Sequence, residues 1–147
     1  MAAPKTTEEA FQQMRFMWFA FLASILLYIY IATTTPPPAW LNFRNATRIF
    51  PILGVLDLVY FAWFRTKRFP GALQLAQERP RDIHAIRRWV AAWITLAAIA
   101  ETEALFGLCL QWGNKSPREA TPLYALGFVL IASLWPQHVH SRDSITE

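Results

Sequence analysis

The chain has 147 residues, of which 54% are hydrophobic and only 16% are charged, and its formal net charge at pH 7 is +4. An ordinary soluble domain carries about 25% charged residues, so this composition disfavours a water-soluble class of protein. The basic residues lie between apolar stretches, which indicates a signal for membrane topology rather than nucleic-acid binding.

Four windows of the sequence exclude almost all charges. They are residues 16–34, 49–64, 89–112 and 121–139. About 20 apolar residues in an α-helix span the hydrocarbon core of a bilayer, and none of the windows shows the polar stripe of a soluble bundle. The sequence therefore predicts an all-α, polytopic membrane protein, with residues 1–147 forming a single domain of four transmembrane helices in two helical hairpins.

The first window is rich in bulky side chains and ends before Pro36, Pro37 and Pro38, which forbid continued helix. Trp40 follows them as an expected interfacial anchor. The second window has only 16 residues and contains Pro51, so it is a marginal span unless its flanking arginines reach the headgroups.

The loop at 65–88 contains seven of the fourteen Lys and Arg residues and separates the two hairpins. Its first part is expected to form a short amphipathic helix that Pro80 interrupts. With four spans, this loop shares a side with Lys5, Arg15 and Arg142. An excess of Lys and Arg marks the cytoplasmic side, so both termini are expected to be cytoplasmic.

Three acids lie inside the apolar windows, Asp57 in the second and Glu101 and Glu103 in the third, and no Lys or Arg lies in any window. An ionised carboxylate at the bilayer centre costs about 2.5–3.5 kcal/mol on insertion scales. The expected alternative is a neutral acid that hydrogen-bonds to its neighbours. The sequence offers several hydroxyl partners without pairing them: Ser24, Tyr28, Tyr60, Thr95 and Thr102.

Glu101 and Glu103 are two residues apart, which places them about 200° apart around a helix. They therefore cannot point into one cavity. One acid could face the helix bundle while the other meets a partner subunit or lipid. Each acid is either an ion-carrying group or a hydrogen-bonding group that locks helix packing. Asp57 lies near one face of the second predicted helix together with Gly54 and Tyr60, and for this acid the packing role is favoured.

Recognisable enzyme chemistry is absent from the sequence. It contains one cysteine, Cys109, and three histidines, His84, His138 and His140, without the spacing of a metal site. It has no glycine-rich phosphate loop. We therefore expect no enzyme activity, no metal and no cofactor, with Cys109 as a packing residue and the histidines as solvated interfacial groups.

The string AETEALFGLCL, residues 100–110, resembles the carboxylate-bearing helix of the rotary ATPase proteolipids, the c subunits of F- and V-type ATP synthases. In that family a glycine follows the ion-carrying acid by six residues. The resemblance implies that Glu101 is the ion-site acid and Gly107 a close-packing glycine, while Glu103 is an extra acid. QERPRD, residues 77–82, is similar to the polar-loop motif of that family.

Two functions follow as hypotheses. In the first, the chain is a small proteolipid-like membrane subunit or homo-oligomer that handles protons or cations through Glu101, Glu103 and Asp57. In the second, it is a structural or accessory membrane subunit whose buried acids serve packing, with Gly54 and Gly107 at close helix contacts. The expected partners are the lipid bilayer and other membrane subunits, without nucleic acid, and the expected location is a bacterial cytoplasmic membrane.

Overall fold

Helices account for nearly all of the chain that the computed structural model describes, which is residue 4 together with residues 6–37, 46–114 and 116–136. The five helices are α1 (Thr7–Thr34), α2 (Ala46–Lys67), α3 (Phe69–Glu78), α4 (Ile83–Asn114) and α5 (Pro117–Ala132). No strand occurs within the described ranges, which confirms the expected all-α class.

Within the described residues, three helical stretches are long enough and apolar enough to cross a membrane. They are Thr7–Thr34, Arg48–Glu78, which joins α2 to α3, and Ile83–Gly113. The fourth helix over an apolar window, α5, has 16 residues, a length of about 24 Å against a hydrocarbon core of about 30 Å. By length and composition, three stretches of the chain are therefore candidate membrane spans.

The helix ends differ from the apolar windows because capping and turn residues set them. α1 begins at Thr7, nine residues before its window, since the Thr6 side chain accepts a hydrogen bond from the Glu9 N–H and caps the helix. α4 begins before its window for the same reason, because Asp82 accepts from the His84 N–H at 2.9 Å. α5 ends at Ala132, short of the predicted 121–139, of which residues 137–139 lie outside the described residues.

The second apolar window lies within a helix that is longer than the window itself. α2 runs for 22 residues with Pro51 near its start and with Arg65 and Lys67 in its last turn, where cations interact favourably with the helix dipole. The predicted loop contains the short helix expected in its first part, α3, which ends at Glu78 before Pro80. Some expectations concern residues outside the described part of the chain, namely Lys5, Trp40, His138, His140 and Arg142.

α4 lies at the centre of the bundle and contacts each of the other four helices, while α1 and α2 pack against α4 and α5 rather than against each other. Phe21 of α1 lies beside Trp93 of α4, and farther along both helices Gln111 donates to the Ala32 carbonyl, so α1 and α4 are parallel. Trp93 bonds the Leu134 carbonyl after the end of α5, so α4 and α5 are antiparallel.

Small residues allow α4 and α5 to approach closely. A Cβ atom at Gly127 of α5 would lie 2.9 Å from the Ala100 carbonyl oxygen and 3.1 Å from the Ala104 nitrogen. These are backbone atoms, so α4 cannot yield by turning a side chain. Ala97, Ala100 and Ala104 are all fully buried, and the stripe that they form fixes the distance between the two central helices.

Side chains from three helices bind polar groups at the end of α5, where a helix lacks intrahelical partners for its last carbonyl groups. The Trp18 indole of α1 donates to the Ile131 carbonyl at 2.8 Å, and the Trp93 indole of α4 donates to the Leu134 carbonyl at 2.9 Å. The Arg65 guanidinium of α2 donates to the Ser133 hydroxyl at 2.9 Å. The end of α5 therefore joins all the long helices.

Trp93→Phe is expected to lower the free energy of unfolding by about 0.5–1.5 kcal/mol, because it removes the donor to the Leu134 carbonyl and keeps most of the apolar bulk. Trp112→Phe is the matched control, since the buried Trp112 indole nitrogen has no hydrogen-bond partner among the described residues. Denaturant titration in detergent micelles compares the two. Equal losses for both variants would show that the Trp93 bond adds nothing.

The outer faces of α1 and α2 are apolar and uncovered. Phe16 on α1 is 64% exposed, while Val55 and Val59 on α2 are 61% and 62% exposed. Among the residues of α2 whose burial is described, only a narrow stripe faces inward, comprising Phe50, Gly54, Asp57, Phe61 and Phe64. Exposed apolar surface of this extent is typical of helices that face lipid or another membrane subunit.

Candidate functional site

Glu101 lies on the face of α4 that packs against α1. Its Oε1 atom accepts hydrogen bonds from the Ser24 hydroxyl at 2.6 Å and from the Tyr28 hydroxyl at 2.8 Å. Ser24 and Tyr28 are four residues apart on α1, so they project from the same face of that helix. The carboxyl group of Glu101 is partly buried and joins two helices through polar contacts.

The remaining hydroxyl candidates bind elsewhere. Thr95 and Thr102 donate to carbonyl groups one turn back in α4, those of Ala91 and Ala98. Tyr60 stacks on Trp63, with ring centroids 5.6 Å apart. Of the five hydroxyl residues that the sequence offered, the structure brings only Ser24 and Tyr28 to an intramembrane acid.

Glu103 lies on the opposite face of α4 and is fully buried, with 0% of its surface exposed. Neither of its carboxyl oxygens has a hydrogen-bond partner among the residues that the structure describes. The glycine opposite it on α2 leaves room for the carboxyl group, because a Cβ atom at Gly54 would lie 2.8 Å from Glu103 Oε2. Burial without a partner is the costliest environment for a carboxylate.

Asp57 lies one turn after Gly54 on the inward stripe of α2 and is partly buried. Gly54 lies against the Glu103 carboxyl group, so Asp57 brings a second acid to the same contact between α2 and α4. Asp57 and Glu103 thus form a carboxyl pair between α2 and α4, which we call the carboxyl pair below. Two ionised carboxylates at one interhelical contact would repel each other.

The structure corrects the expectation that one of the two glutamates meets lipid or a partner subunit. Both face helices of the same chain, since α4 is central and its opposite faces are covered by α1 and α2. The angular separation derived from the sequence agrees with the structure, in which Glu101 contacts α1 and Glu103 contacts α2. The acid that the proteolipid resemblance set aside as extra, Glu103, is the more deeply buried of the two.

Gly107 lies at the contact between α4 and α5, where a Cβ atom would be 3.0 Å from the ring of Tyr124. The Tyr124 hydroxyl donates to Gln111 Oε1 at 3.3 Å, and Gln111 Nε2 donates to the Ala32 carbonyl at 3.1 Å. The sequence reasoning missed Gln111, although a buried amide in an apolar window is itself a signal for an interhelical hydrogen bond.

Metal-binding clusters of three or more His, Cys, Asp or Glu side chains are not found in the described part of the chain. The thiol of Cys109 is free and partly buried, and His84 is exposed at the start of α4. The candidate site therefore consists of three carboxyl groups and the two hydroxyl groups that bind one of them.

Comparison of the chain with protein-family models, with curated proteins and with solved structures finds no match.

The two acidic sites differ in what they can do chemically. At Glu101 two hydroxyl donors hold one oxygen in a fixed position, an arrangement that stabilises the contact between α1 and α4. At the carboxyl pair no such donors fix the groups, and one proton can reside on either of two neighbouring acids. The second arrangement can take up, hold and release a proton without breaking a network of hydrogen bonds.

Proposed function

We propose that this chain is an integral membrane protein whose carboxyl pair, Asp57 and Glu103, takes up and releases a proton between α2 and α4. The observation that carries the proposal is the full burial of Glu103 with both oxygens unpartnered among the described residues, at a helix contact to which α2 brings a second acid, Asp57. Buried ionisable groups within membrane helices are expensive to keep and commonly mark proton or ion pathways.

The proton balance at the pair is simple. With one proton on the pair, the two carboxyl groups together carry a single negative charge. When the proton moves from Asp57 to Glu103, the negative charge moves from Glu103 to Asp57. Asp57 is the more exposed of the two acids, so it is the group that exchanges its proton with the surroundings. A second proton would neutralise the pair.

The membrane topology belongs to the same proposal. We place four spans in the bilayer, the windows 16–34, 49–64, 89–112 and 121–139, with both termini on the cytoplasmic side. The start of α1 and the end of α5 lie at the same end of the bundle as the basic loop, because Arg15 lies 5.6 Å from the Trp135 ring and Arg65 bonds Ser133. The positive-inside rule then assigns that end to the cytoplasm, and we propose a bacterial cytoplasmic membrane as the location.

A proteolipid-like role as a subunit of a larger membrane assembly is also part of the proposal. The uncovered apolar faces of α1 and α2 offer surface for lipid and for neighbouring subunits. The carboxyl pair lies on the inner side of α2. A proton that moves through the pair would therefore pass close to a subunit that covers the outer face of α2.

Proton flux into reconstituted vesicles tests the function. Wild-type protein is expected to acidify vesicles that hold a pH-sensitive dye when a potassium diffusion potential drives protons inward. Glu103→Gln should reduce the rate to that of empty vesicles, because an amide of the same shape cannot accept and release a proton. Glu101→Gln is the matched control, and its flux should remain near wild type.

The same flux assay can contradict the assignment. Loss of flux in Glu101→Gln with retention in Glu103→Gln would move the site to the α1 contact, as the proteolipid resemblance implies. Wild-type flux no greater than that of empty vesicles would remove the transport function altogether. Circular dichroism of each variant shows whether the helices survive the substitution.

A structural role is the second candidate function, and one observation favours it. Glu101 joins α1 to α4 through two hydroxyl donors, and the other contacts of α4 depend on Gly54, Gly107 and Gly127. Under this hypothesis the acids and glycines serve only to assemble a membrane subunit, and vesicles with wild-type protein would show no proton flux.

A further inference from the structure

A groove of about 770 Å³ lies between α2, α3 and α4 at the basic end of the bundle. Three cationic side chains line it: Lys67, Arg68 and Arg88. None of the described residues that line it is an acid. The volume lies within the range of about 300–1,000 Å³ that is usual for small-molecule sites in proteins.

The groove is polar at one end and apolar along its length. Lys67 and Arg68 follow the second apolar window and Arg88 directly precedes the third, so the cations lie where the spans meet the headgroup region. From there the walls continue along Phe64 of α2 and along Ala91 and Ala92 of α4, with Tyr60 and Thr95 beyond them. The Arg68 guanidinium lies 5.7 Å from the centroid of the Trp63 ring, a cation–π contact that holds it at the mouth of the groove.

We infer that this groove binds an anionic phospholipid of the surrounding bilayer, with the phosphate at Lys67, Arg68 and Arg88 and an acyl chain along α2 and α4. Charge selects the headgroup, because three cations without a facing acid favour an anion, and basic pockets between membrane helices bind such headgroups. The apolar wall selects a lipid over a free phosphate, which would leave that wall uncovered. A second copy of the chain would bring like charge to the same place.

This inference rests on the membrane location proposed above but not on proton transfer by the carboxyl pair. Extraction of the membranes with alkaline carbonate tests the location separately. Lipid binding is measured on detergent-purified protein, so a negative result there does not bear on proton flux.

The experiment is native mass spectrometry of the purified protein titrated with dioleoyl phosphatidylglycerol or dioleoyl phosphatidylcholine. We expect one phosphatidylglycerol molecule to remain bound where phosphatidylcholine does not. The triple variant Lys67→Gln, Arg68→Gln, Arg88→Gln should weaken that binding about a hundredfold, since each cation near an anionic surface contributes a factor of roughly five.

The basic loop supplies a matched control of equal charge. Arg79, Arg81 and Arg87 are exposed and do not line the groove, so Arg79→Gln, Arg81→Gln, Arg87→Gln removes the same three charges. This control should bind phosphatidylglycerol as wild type does. An equal loss in both triple variants would show attraction to the general surface charge and would overturn the site.

A steric variant tests the groove without changing charge. Gly71 of α3 lines the groove, and a Cβ atom there would meet no atom within 4 Å. Gly71→Leu should therefore fill the groove, keep the fold and reduce phosphatidylglycerol binding at least tenfold.

Two further outcomes would also overturn the inference. Equal binding of phosphatidylcholine would mean that the groove accepts an acyl chain without selecting for an anionic headgroup. Displacement of bound phosphatidylglycerol by inorganic phosphate at millimolar concentration would identify a soluble phosphate ligand instead.

Discussion

Glu103→Met is expected to raise the free energy of unfolding, whereas Glu101→Met, two residues away, is expected to lower it. Glu103 is fully buried and its oxygens have no hydrogen-bond partner in the described part of the chain. A buried polar group left unsatisfied costs about 1–3 kcal/mol. A methionine of similar shape removes that cost and keeps the packing beside Gly54, so the gain is expected to be about 1–3 kcal/mol.

The loss at Glu101 has the reverse cause. Methionine at this position leaves the Ser24 and Tyr28 hydroxyl groups without their shared acceptor. Tyr28 then loses its contact to α4, and the expected loss is again about 1–3 kcal/mol. Glu101→Gln should recover much of it, because the amide oxygen still accepts from both hydroxyl groups.

Unfolding titrations with sodium dodecyl sulfate in mixed micelles measure both effects, and a double-mutant cycle isolates the contact at Glu101. If Tyr28→Phe and Glu101→Met remove the same interaction, their combined loss is smaller than the sum of the single losses. A loss of stability in Glu103→Met would show that its carboxyl group has a stabilising partner, which would contradict the burial argument.

Gly127→Ala is expected to lower the free energy of unfolding, whereas the same methyl addition at Gly71 is not. The new Cβ atom would lie 2.9 Å from the Ala100 carbonyl oxygen and 3.1 Å from the Ala104 nitrogen. Both atoms belong to the backbone of α4, so the helices must separate. Overpacking of this kind costs about 1–3 kcal/mol, although alanine is the better helix former.

Gly71→Ala is the matched control, because the same methyl group meets no atom within 4 Å there. Within a helix this change is expected to stabilise by about 0.5–1 kcal/mol. Thermal unfolding of both variants in the same detergent gives the comparison. A Gly127→Ala protein as stable as wild type would mean that α4 and α5 are not in close contact.

The apolar windows predicted where helices occur but not where they end. Hydropathy reports which residues avoid water, whereas the start of α1 depends on the Thr6 cap and the start of α4 on Asp82. The second window appeared too short to span, yet α2 reaches 22 residues because Arg65 and Lys67 belong to its last turn. The number of residues between two flanking charges therefore underestimates the length of a helix that has cations in its end turns.

The sequence predicts how the two glutamates are separated around their helix, but it does not predict which helix each of them contacts. A rotation of 100° per residue places Glu101 and Glu103 on opposite faces of any helix, and the structure has them there. Which helix covers each face depends on the packing of α1 and α2 on both sides of α4, and periodicity within one segment holds no such information. Resemblance to the proteolipid helix directed attention to Glu101, while burial distinguishes Glu103.

The most direct test of the central claim is infrared spectroscopy of the carboxyl groups in lipid at neutral pH. The carboxyl pair predicts a C=O band of a protonated carboxylic acid in wild-type protein, shifted by ¹³C labelling of Glu or Asp according to which group holds the proton. Glu103→Gln should lower the intensity of this band, whereas Glu101→Gln should leave it near the wild-type intensity. A band that is absent from wild type, or that Glu103→Gln leaves unchanged, would contradict a proton on the carboxyl pair.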